Sequence, residues 1–144
     1  MTRVDFYILS TDDPSAALHY CCRLVEKAVN SRHRVVVIAA DDAVVTELGE
    51  QLWGYRAEAF VPHGHDGRQL ESVAILSAAE AESQYGDHDD VLINLGAKVP
   101  ALFSRFQRVA ELVFQQDELL QASRQRYAFY KHRGYPLFNH NIRV

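Results

Sequence analysis

The sequence predicts a single α/β domain, a layered sandwich in which a largely parallel central sheet carries helices on both faces. Residues 34–40 (RVVVIAA) form an unbroken β-branched run, which is typical of a strand covered on both faces in a parallel sheet. Between residues 14 and 31, apolar side chains recur every three or four positions, as along one face of a helix. Two strand–helix units followed by further strands and a last helix is the order of an α/β fold. No repeat or linker interrupts the 144 residues, so we expect one domain over 1–144.

The first half of the chain contains two strand–helix units. The apolar run over residues 4–9 predicts the first strand. Asp13 and Pro14 predict the start of the first helix, because aspartate caps free backbone N–H groups and proline is tolerated at the first helical position. Asp41 and its neighbour predict the start of a second helix, which we expect to run to about residue 53 and to end at Gly54.

The second half predicts short strands, a last helix and a tail. Residues 55–71 are rich in turn residues and are expected to be irregular. The strands are expected over 72–76, 91–95 and 109–114, the last helix over 115–133, and the tail over 134–144.

Composition excludes several classes of protein. No apolar run approaches the roughly 20 residues of a membrane span, and the first residues contain no apolar segment of signal-peptide length. The two cysteines, Cys21 and Cys22, are adjacent and cannot join distant loops, which excludes a disulfide-built secreted fold. We therefore expect a cytoplasmic protein.

The charges are distributed unevenly along the chain. The formal net charge is −4, but residues 1–118 carry 10 basic and 19 acidic side chains, a balance of −9. Residues 119–144 carry five basic and no acidic side chains. An acidic body disfavours nucleic acid, whereas the basic end favours a local site for an anionic partner.

No catalytic or cofactor motif is found. The loop after the first strand, residues 10–14, has no glycine and two carboxylates, so it does not suit a phosphate. Asn94-Leu95-Gly96 is interpreted as a tight turn. His63 and His65 beside Asp66 could hold a metal, but without a further spaced ligand a polar turn is favoured. We expect no cofactor, no metal and no enzymatic activity.

A second pair that could carry chemistry is His19 and Cys22, one helical turn apart. An activated thiolate would need such a base nearby. Both residues fall near the apolar stripe of the first helix, and cysteine often serves as a small hydrophobe. We therefore favour a packing role for both residues over a catalytic one.

Two groups of residues favour binding. At helical spacing, Leu120, Arg124, Tyr127 and Lys131 share one face of the last helix, which suits an anionic group attached to an apolar one. The alternative is an ordinary solvated face. The second group is Leu52-Trp53-Gly54-Tyr55 with Phe60-Val61-Pro62, whose aromatic rings suit either core or a protein interface.

Four segments resemble the chi subunits of bacterial DNA polymerase III, almost from end to end. They are DFYIL at 5–9, LW with AEAFVPH at 52–53 and 57–63, VLINL at 91–95, and QRYAFYKHRGY at 125–135. The LW…FVPH and RYxxY pieces are the most specific. The resemblance implies a Rossmann-like fold with no nucleotide-binding loop, and a non-catalytic subunit of the clamp-loader assembly.

The resemblance also implies two protein partners. One is the psi subunit of the clamp loader, bound through a surface that includes Trp53 and Phe60. The other is the acidic, Phe-ending C-terminal tail of single-stranded-DNA-binding protein (SSB). Matched by motif, the tail site consists of Val113 as apolar wall and of Arg124, Tyr127 and Lys131. The family has further basic residues where this chain has Leu120 and Ala128, a difference that bears on affinity and not on location.

Other functions remain open from the sequence. A repair helicase is an alternative client of the Trp53 and Phe60 surface. Direct binding of single-stranded nucleic acid through Arg124, Arg126, Tyr127 and Lys131 is a second hypothesis, since charge beside stacking rings suits that task. A small nucleotide-dependent α/β enzyme is a third, supported only by the strand–helix pattern.

Overall fold

The structure, a computed structural model, describes residues 1–55, 73–77 and 89–143, and excludes the side chains of residues 53–55. Among these residues lie six strands, three α-helices and a short 3₁₀ turn at Phe103–Arg105. The strands are β1 (Arg3–Leu9), β2 (Val35–Ala39), β3 (Val73–Ser77), β4 (Val91–Asn94), β5 (Arg108–Val113) and β6 (Leu137–Ile142). The helices are α1 (Pro14–Asn30), α2 (Asp42–Tyr55) and α3 (Asp117–His132). No helix in these segments is long and apolar enough to cross a membrane.

The described strands form one parallel sheet in the order β3-β2-β4-β5-β1-β6. The strand β2 is buried along its whole length, as its unbroken β-branched run predicts. The predicted α/β sandwich with a parallel sheet is confirmed, and each predicted strand lies within a residue or two of its expected position.

The helices cover opposite faces of the sheet. On one face, α1 and α2 bury a cluster that includes Leu18, Val25 and Leu48 against side chains of β2 to β5. On the other face, α3 contributes Tyr130 to a cluster that includes Phe6, Phe103 and other residues of β1, β4 and β5. The prediction of helices on both faces is therefore confirmed.

Side-chain caps define the starts of α1 and α2. The backbone N–H of Ser15 donates to Oδ1 of Asp13 across 3.0 Å, and Pro14 occupies the first helical position. The N–H of Val44 donates to Oδ1 of Asp41, also across 3.0 Å. Both predicted caps are confirmed. The predicted end of α2 is wrong by one residue, because the helix continues through Gly54 to Tyr55.

The predicted C-terminal tail is wrong, because residues 137–142 form the sixth strand, β6. Gly134 follows α3 with a φ of 80°, and its N–H donates to the carbonyl of Lys131. The N–H of Tyr135 donates to the carbonyl of Tyr130, which completes a Schellman turn at the end of α3. This turn directs the chain back to the sheet, where β6 pairs in parallel with β1.

Candidate functional site

The inward face of α3 is fixed to the sheet by a buried carboxylate. Glu111 of β5 is fully buried, and its Oε1 accepts from Nε of Arg126 across 2.9 Å. Its Oε2 accepts from the hydroxyl of Tyr130 across 2.6 Å. Burial raises the pKa of the Glu111 carboxyl, although Arg126, Tyr130 and Asn94 all act to lower it. Arg126 and Tyr130 lie one helical turn apart on α3, so the carboxylate sets the rotation of the helix.

The same carboxylate ties α3 to the turn that follows β4. The amide of Asn94 donates to Oε1 of Glu111 across 2.9 Å and to the carbonyl of Lys98 across 3.0 Å. The N–H of Gly96 donates to Oδ1 of Asn94, which confirms the tight turn interpreted from the sequence. Arg126 closes the network by donating from Nη1 to the carbonyl of Ala97.

The outward side of α3 carries the residues predicted from their helical spacing. Arg124 and Lys131 are exposed, whereas Leu120 and Tyr127 are partly buried against the core cluster below. The ring of Tyr127 contacts Phe6 of β1 edge to face, with centroids 5.3 Å apart. In the described part of the chain, no carboxylate pairs with Arg124 or Lys131. The arrangement places two exposed cations, without a carboxylate partner among the described residues, on either side of an anchored ring.

Val113 lies on the same side of the sheet as α3, in the core cluster beneath these residues. It is only 2% exposed, so it supports the site from below. Its register partner in β1 is Ile8, which is partly buried and packs against the same cluster.

Three residues on the α3 side of the sheet were not among the site residues predicted from the sequence. Ile8 is one of them, and its place follows from alternation along β1. The other two, Asn139 and Asn141, are exposed residues of β6 that pair in register with Phe6 and Ile8. Because strand neighbours in register point to the same face, these amides lie on the α3 side. The only sequence signal for these two residues is the alternation of apolar and polar side chains in LFNHNI (137–142), a segment that we expected to be a tail.

The hypothesis that α3 binds nucleic acid through four residues is wrong for Arg126. That side chain is 3% exposed and is neutralised by Glu111, so it presents no charge to a ligand. The first turn of α3 contains Asp117 and Glu118, so the basic surface is confined to the later turns of the helix.

The remaining predicted residues lie elsewhere. Trp53 is in the last turn of α2, with its side chain outside the described residues, and Phe60, His63, His65 and Asp66 lie outside them altogether. Cys22 is fully buried in the core, whereas His19 is exposed. The predicted packing role is therefore confirmed for Cys22 and wrong for His19.

Comparison with known proteins shows the family of the chain. The sequence profile of the family described as "DNA polymerase III chi subunit, HolC" matches residues 1–138. The DNA polymerase III subunit chi of Pseudomonas aeruginosa is 42% identical over 142 residues, which is 99% of this chain and 98% of that protein. The subunit chi of Escherichia coli is 29% identical over 141 residues, 95% of this chain and 96% of that protein.

A solved structure shows a similar fold. The protein described as "Mss116p DEAD-box helicase domain 2 bound to an RNA duplex" aligns with a TM-score of 0.64 and 7% sequence identity. The alignment covers 96% of this chain and 64% of that chain. At this identity, the likeness concerns the layered α/β fold alone.

Proposed function

Because the chain belongs to the family of DNA polymerase III chi subunits, we propose that it is a non-catalytic replication subunit that links two proteins. One partner is the psi subunit of the clamp loader, and the other is the acidic C-terminal tail of SSB. The protein would act in the cytoplasm and contact DNA through SSB.

The observation that carries the SSB-tail site is the pair of free cations around an anchored ring on α3. An acidic tail that ends in phenylalanine offers side-chain carboxylates, a terminal carboxylate and one aromatic ring. Arg124 is suited to hold a carboxylate through two parallel hydrogen bonds, and Lys131 adds a second charge one turn beyond Tyr127. Tyr127 and Leu120 supply apolar surface for the incoming ring.

The buried Glu111 network supports this site by fixing α3. Because Arg126 and Tyr130 are held inward by one carboxylate, the exposed side chains of Arg124 and Lys131 are held outward. A fixed helix loses less conformational freedom on binding than a mobile one, which favours affinity. Exposed charge pairs are each worth only about 0.2–1 kcal/mol, so the buried ring and the clamped carboxylate should dominate. We expect affinity in the micromolar range that falls with salt.

The test is calorimetry with a synthetic acidic peptide that ends in phenylalanine. We expect one site, and Arg124→Ala should weaken binding about tenfold or more, since a charged hydrogen-bonded pair is worth about 1.5–3 kcal/mol. Arg133→Ala is the matched control, because it removes the same charge at the C-terminal end of α3, where the guanidinium stacks on Phe129 at 4.4 Å. A peptide with an amidated C-terminus should bind more weakly. Equal affinity of the Arg124→Ala and Arg133→Ala variants would show that the site is misplaced.

The psi-binding surface is proposed at the end of α2 and in the segment that follows, with Trp53 and Phe60 as its aromatic anchors. Aromatic side chains at the centre of an interface commonly carry much of its binding energy. Co-purification with psi should therefore be lost in Trp53→Ala, while titration with the acidic peptide is unchanged. If psi is retained and a repair helicase is lost instead, this surface serves the helicase.

A further inference from the structure

On the sheet face opposite α3, Leu9 of β1 is fully buried, whereas β6 lies beyond the cluster that the described helices α1 and α2 bury. The core cluster under α1 and α2 takes side chains from β2 to β5, and the only β1 residue packed against it is the partly buried Tyr7. Beyond Tyr7 on this face lie Phe138 and His140 of β6, which are in register with Asp5 and Tyr7. Phe138 is 42% exposed, one of few large apolar side chains on the described surface.

A buried carboxylate organises two arginines on this face. Asp5 has no exposed surface, and its Oδ2 accepts from Nε of Arg108 across 2.8 Å and from Nε of Arg3 across 3.2 Å. The side chains of Arg3 and Arg108 remain 44% and 42% exposed. One carboxylate therefore orients two guanidinium groups and neutralises only one of their charges. The remaining N–H donors are presented to solvent in fixed positions.

Aromatic rings alternate with these cations. The guanidinium of Arg3 lies over the ring of Phe138, 4.1 Å from its centroid. His140 stacks on Tyr7, with ring centroids 4.7 Å apart and planes inclined by 15°. Alternate residues of a strand are about 6.6 Å apart, so Phe138 and His140 offer two rings in a row along the edge strand.

A groove runs beside these residues along α1. A cavity of about 330 Å³ between α1 and the sheet is lined by Arg3, Tyr7, Lys27 and Arg108. A second cavity of about 510 Å³ shares Tyr7 and Lys27 and adds Arg23, and a third of about 620 Å³ shares Arg23 and adds Arg143. We call this chain of cavities the α1 groove. It follows the length of β1, about 20 Å at the usual rise per residue.

Basic residues predominate in the α1 groove. Its five cations are Arg3, Arg23, Lys27, Arg108 and Arg143. Three carboxylates also line it, and two of these accept backbone hydrogen bonds, Asp13 from Ser15 and Asp90 from Arg34. The third is Glu26. With the buried Asp5 counted as well, five cations face four carboxylates, so the groove carries a slight positive excess, in contrast to the −9 balance of residues 1–118.

We propose that this face binds a single-stranded nucleic acid, with phosphates along the α1 groove and bases on Phe138 and His140. A line of cations beside exposed rings on an open sheet is the combination by which single strands are bound without sequence preference. An acidic peptide fits less well, because neither Phe138 nor His140 lines any of the three described cavities. This contact is direct and independent of the SSB-tail site, since it lies on the other face of the sheet.

The test is fluorescence anisotropy of a labelled oligothymidine of about 15 nucleotides, a length within the usual site sizes, at low salt with the full chain. Phe138→Ala should weaken binding at least about fivefold, the lower end of the effect of one stacked base. Lys27→Ala should lower the slope of log K against log salt by about 0.7, the value for one phosphate contact on a single strand.

Two control variants distinguish these effects from the general effect of removing an exposed apolar side chain or an exposed cation. Leu102→Ala removes another exposed apolar side chain, and Lys98→Ala removes an exposed cation near the turn after β4; both should bind the oligonucleotide as the parent does. Phe138→Ala should also keep its affinity for the acidic peptide, which distinguishes this proposal from the SSB-tail site.

Three results would overturn the proposal. The first is no change in anisotropy up to about 100 μM protein, the weak end of non-specific binding. The second is binding that persists in Phe138→Ala and Lys27→Ala and is lost in Arg124→Ala, which would place nucleic acid on α3. The third is an acidic peptide whose binding depends on Phe138 and Lys27, which would make this face a protein site.

Discussion

Nε of Arg126 lies 2.9 Å from Oε1 of Glu111, and both side chains are almost completely buried between α3 and the sheet. Removing one member of such a pair leaves the other charge buried without a partner, which typically costs about 3–5 kcal/mol. Replacing both members by apolar residues avoids that cost. The pair is thus expected to matter more for where α3 lies than for how stable the fold is.

We predict that Glu111→Leu lowers the free energy of unfolding by about 3–5 kcal/mol, and that adding Arg126→Met recovers part of this loss. Tyr130→Phe removes only the hydroxyl that donates to Glu111 and should cost about 1.5–3 kcal/mol. Urea unfolding of these three variants and of Arg126→Met alone, followed by circular dichroism, measures each value. Additive losses in the double variant would contradict this account, because they would mean that the two side chains are not coupled.

The contacts of Asp5 with Arg3, Arg108 and His140 predict that the stability of the fold depends on pH. Burial acts to raise the pKa of the Asp5 carboxyl, but hydrogen bonds from His140, Arg3 and Arg108 outweigh it and leave the pKa lowered. Because the folded-state pKa is below the unfolded value of 3.8, the stabilisation is present above pH 3.8 and is lost as the pH falls through the folded-state pKa.

Asp5→Asn should therefore be less stable than the parent at neutral pH, by about 2 kcal/mol since the two arginines are partly exposed. The difference should shrink as the pH falls below about 4, where the parent carboxyl takes up its proton. Unfolding midpoints measured from neutral to strongly acidic pH check this. A constant difference over that range would mean that the Asp5 carboxyl does not titrate differently in the folded state.

The cysteines are predicted to be unreactive while the protein is folded. Both are fully buried, and burial raises the pKa of both thiols, that of Cys22 to about 12. Since the thiolate is the reactive form, neither should react with Ellman's reagent at mildly alkaline pH. Both should react in concentrated guanidinium chloride. A thiol that reacts fully in the native protein would show that α1 opens readily.

The turn after α3 is predicted to require glycine. Gly134 has a φ of 80°, a conformation that costs an L-residue about 1–2 kcal/mol, although a Cβ there would meet no atom within 4 Å. Gly134→Ala should therefore lower the free energy of unfolding by about 1 kcal/mol, through the backbone alone. Gly96→Ala is a comparison with no such φ, where a Cβ would lie 3.2 Å from Oδ1 of Asn94. Equal melting temperatures of Gly134→Ala and the parent would contradict the prediction that alanine is strained at this φ.

Local chemistry explains which parts of the fold were predictable from the sequence. The caps at Asp13 and Asp41 depend on neighbours within three residues, so their signals lie beside the helices that they start. The spacing of Arg124, Tyr127 and Lys131 likewise follows from helical geometry. The strand β6 was missed because Gly134 and Pro136 resemble the end of a domain, and pairing with β1 has no local signal.

Contacts between residues that are distant in the chain explain why the sequence did not predict the burial of Arg126 or the α1 groove. Arg126 and Arg124 look alike in the sequence, and only Glu111, fifteen positions away on another element, makes one buried and the other free. The α1 groove joins Arg3 and Arg108, which are neighbours in the sheet and distant in the chain. The charge summed along residues 1–118 does not show that these cations lie together in the fold.

The place of β1 in the sheet has a consequence for biosynthesis. Among the described strands, β1 is made first, and it is held on one side by β5 and on the other by β6, the two that are made after all the others. Arg3 has no strand partner until Arg108 has been translated, so β1 must wait through most of synthesis with its apolar side chains unpaired. Such long-range parallel pairing slows folding and exposes nascent chains to aggregation. A ribosome that stalls before β5 is complete would therefore release a chain that cannot close its sheet.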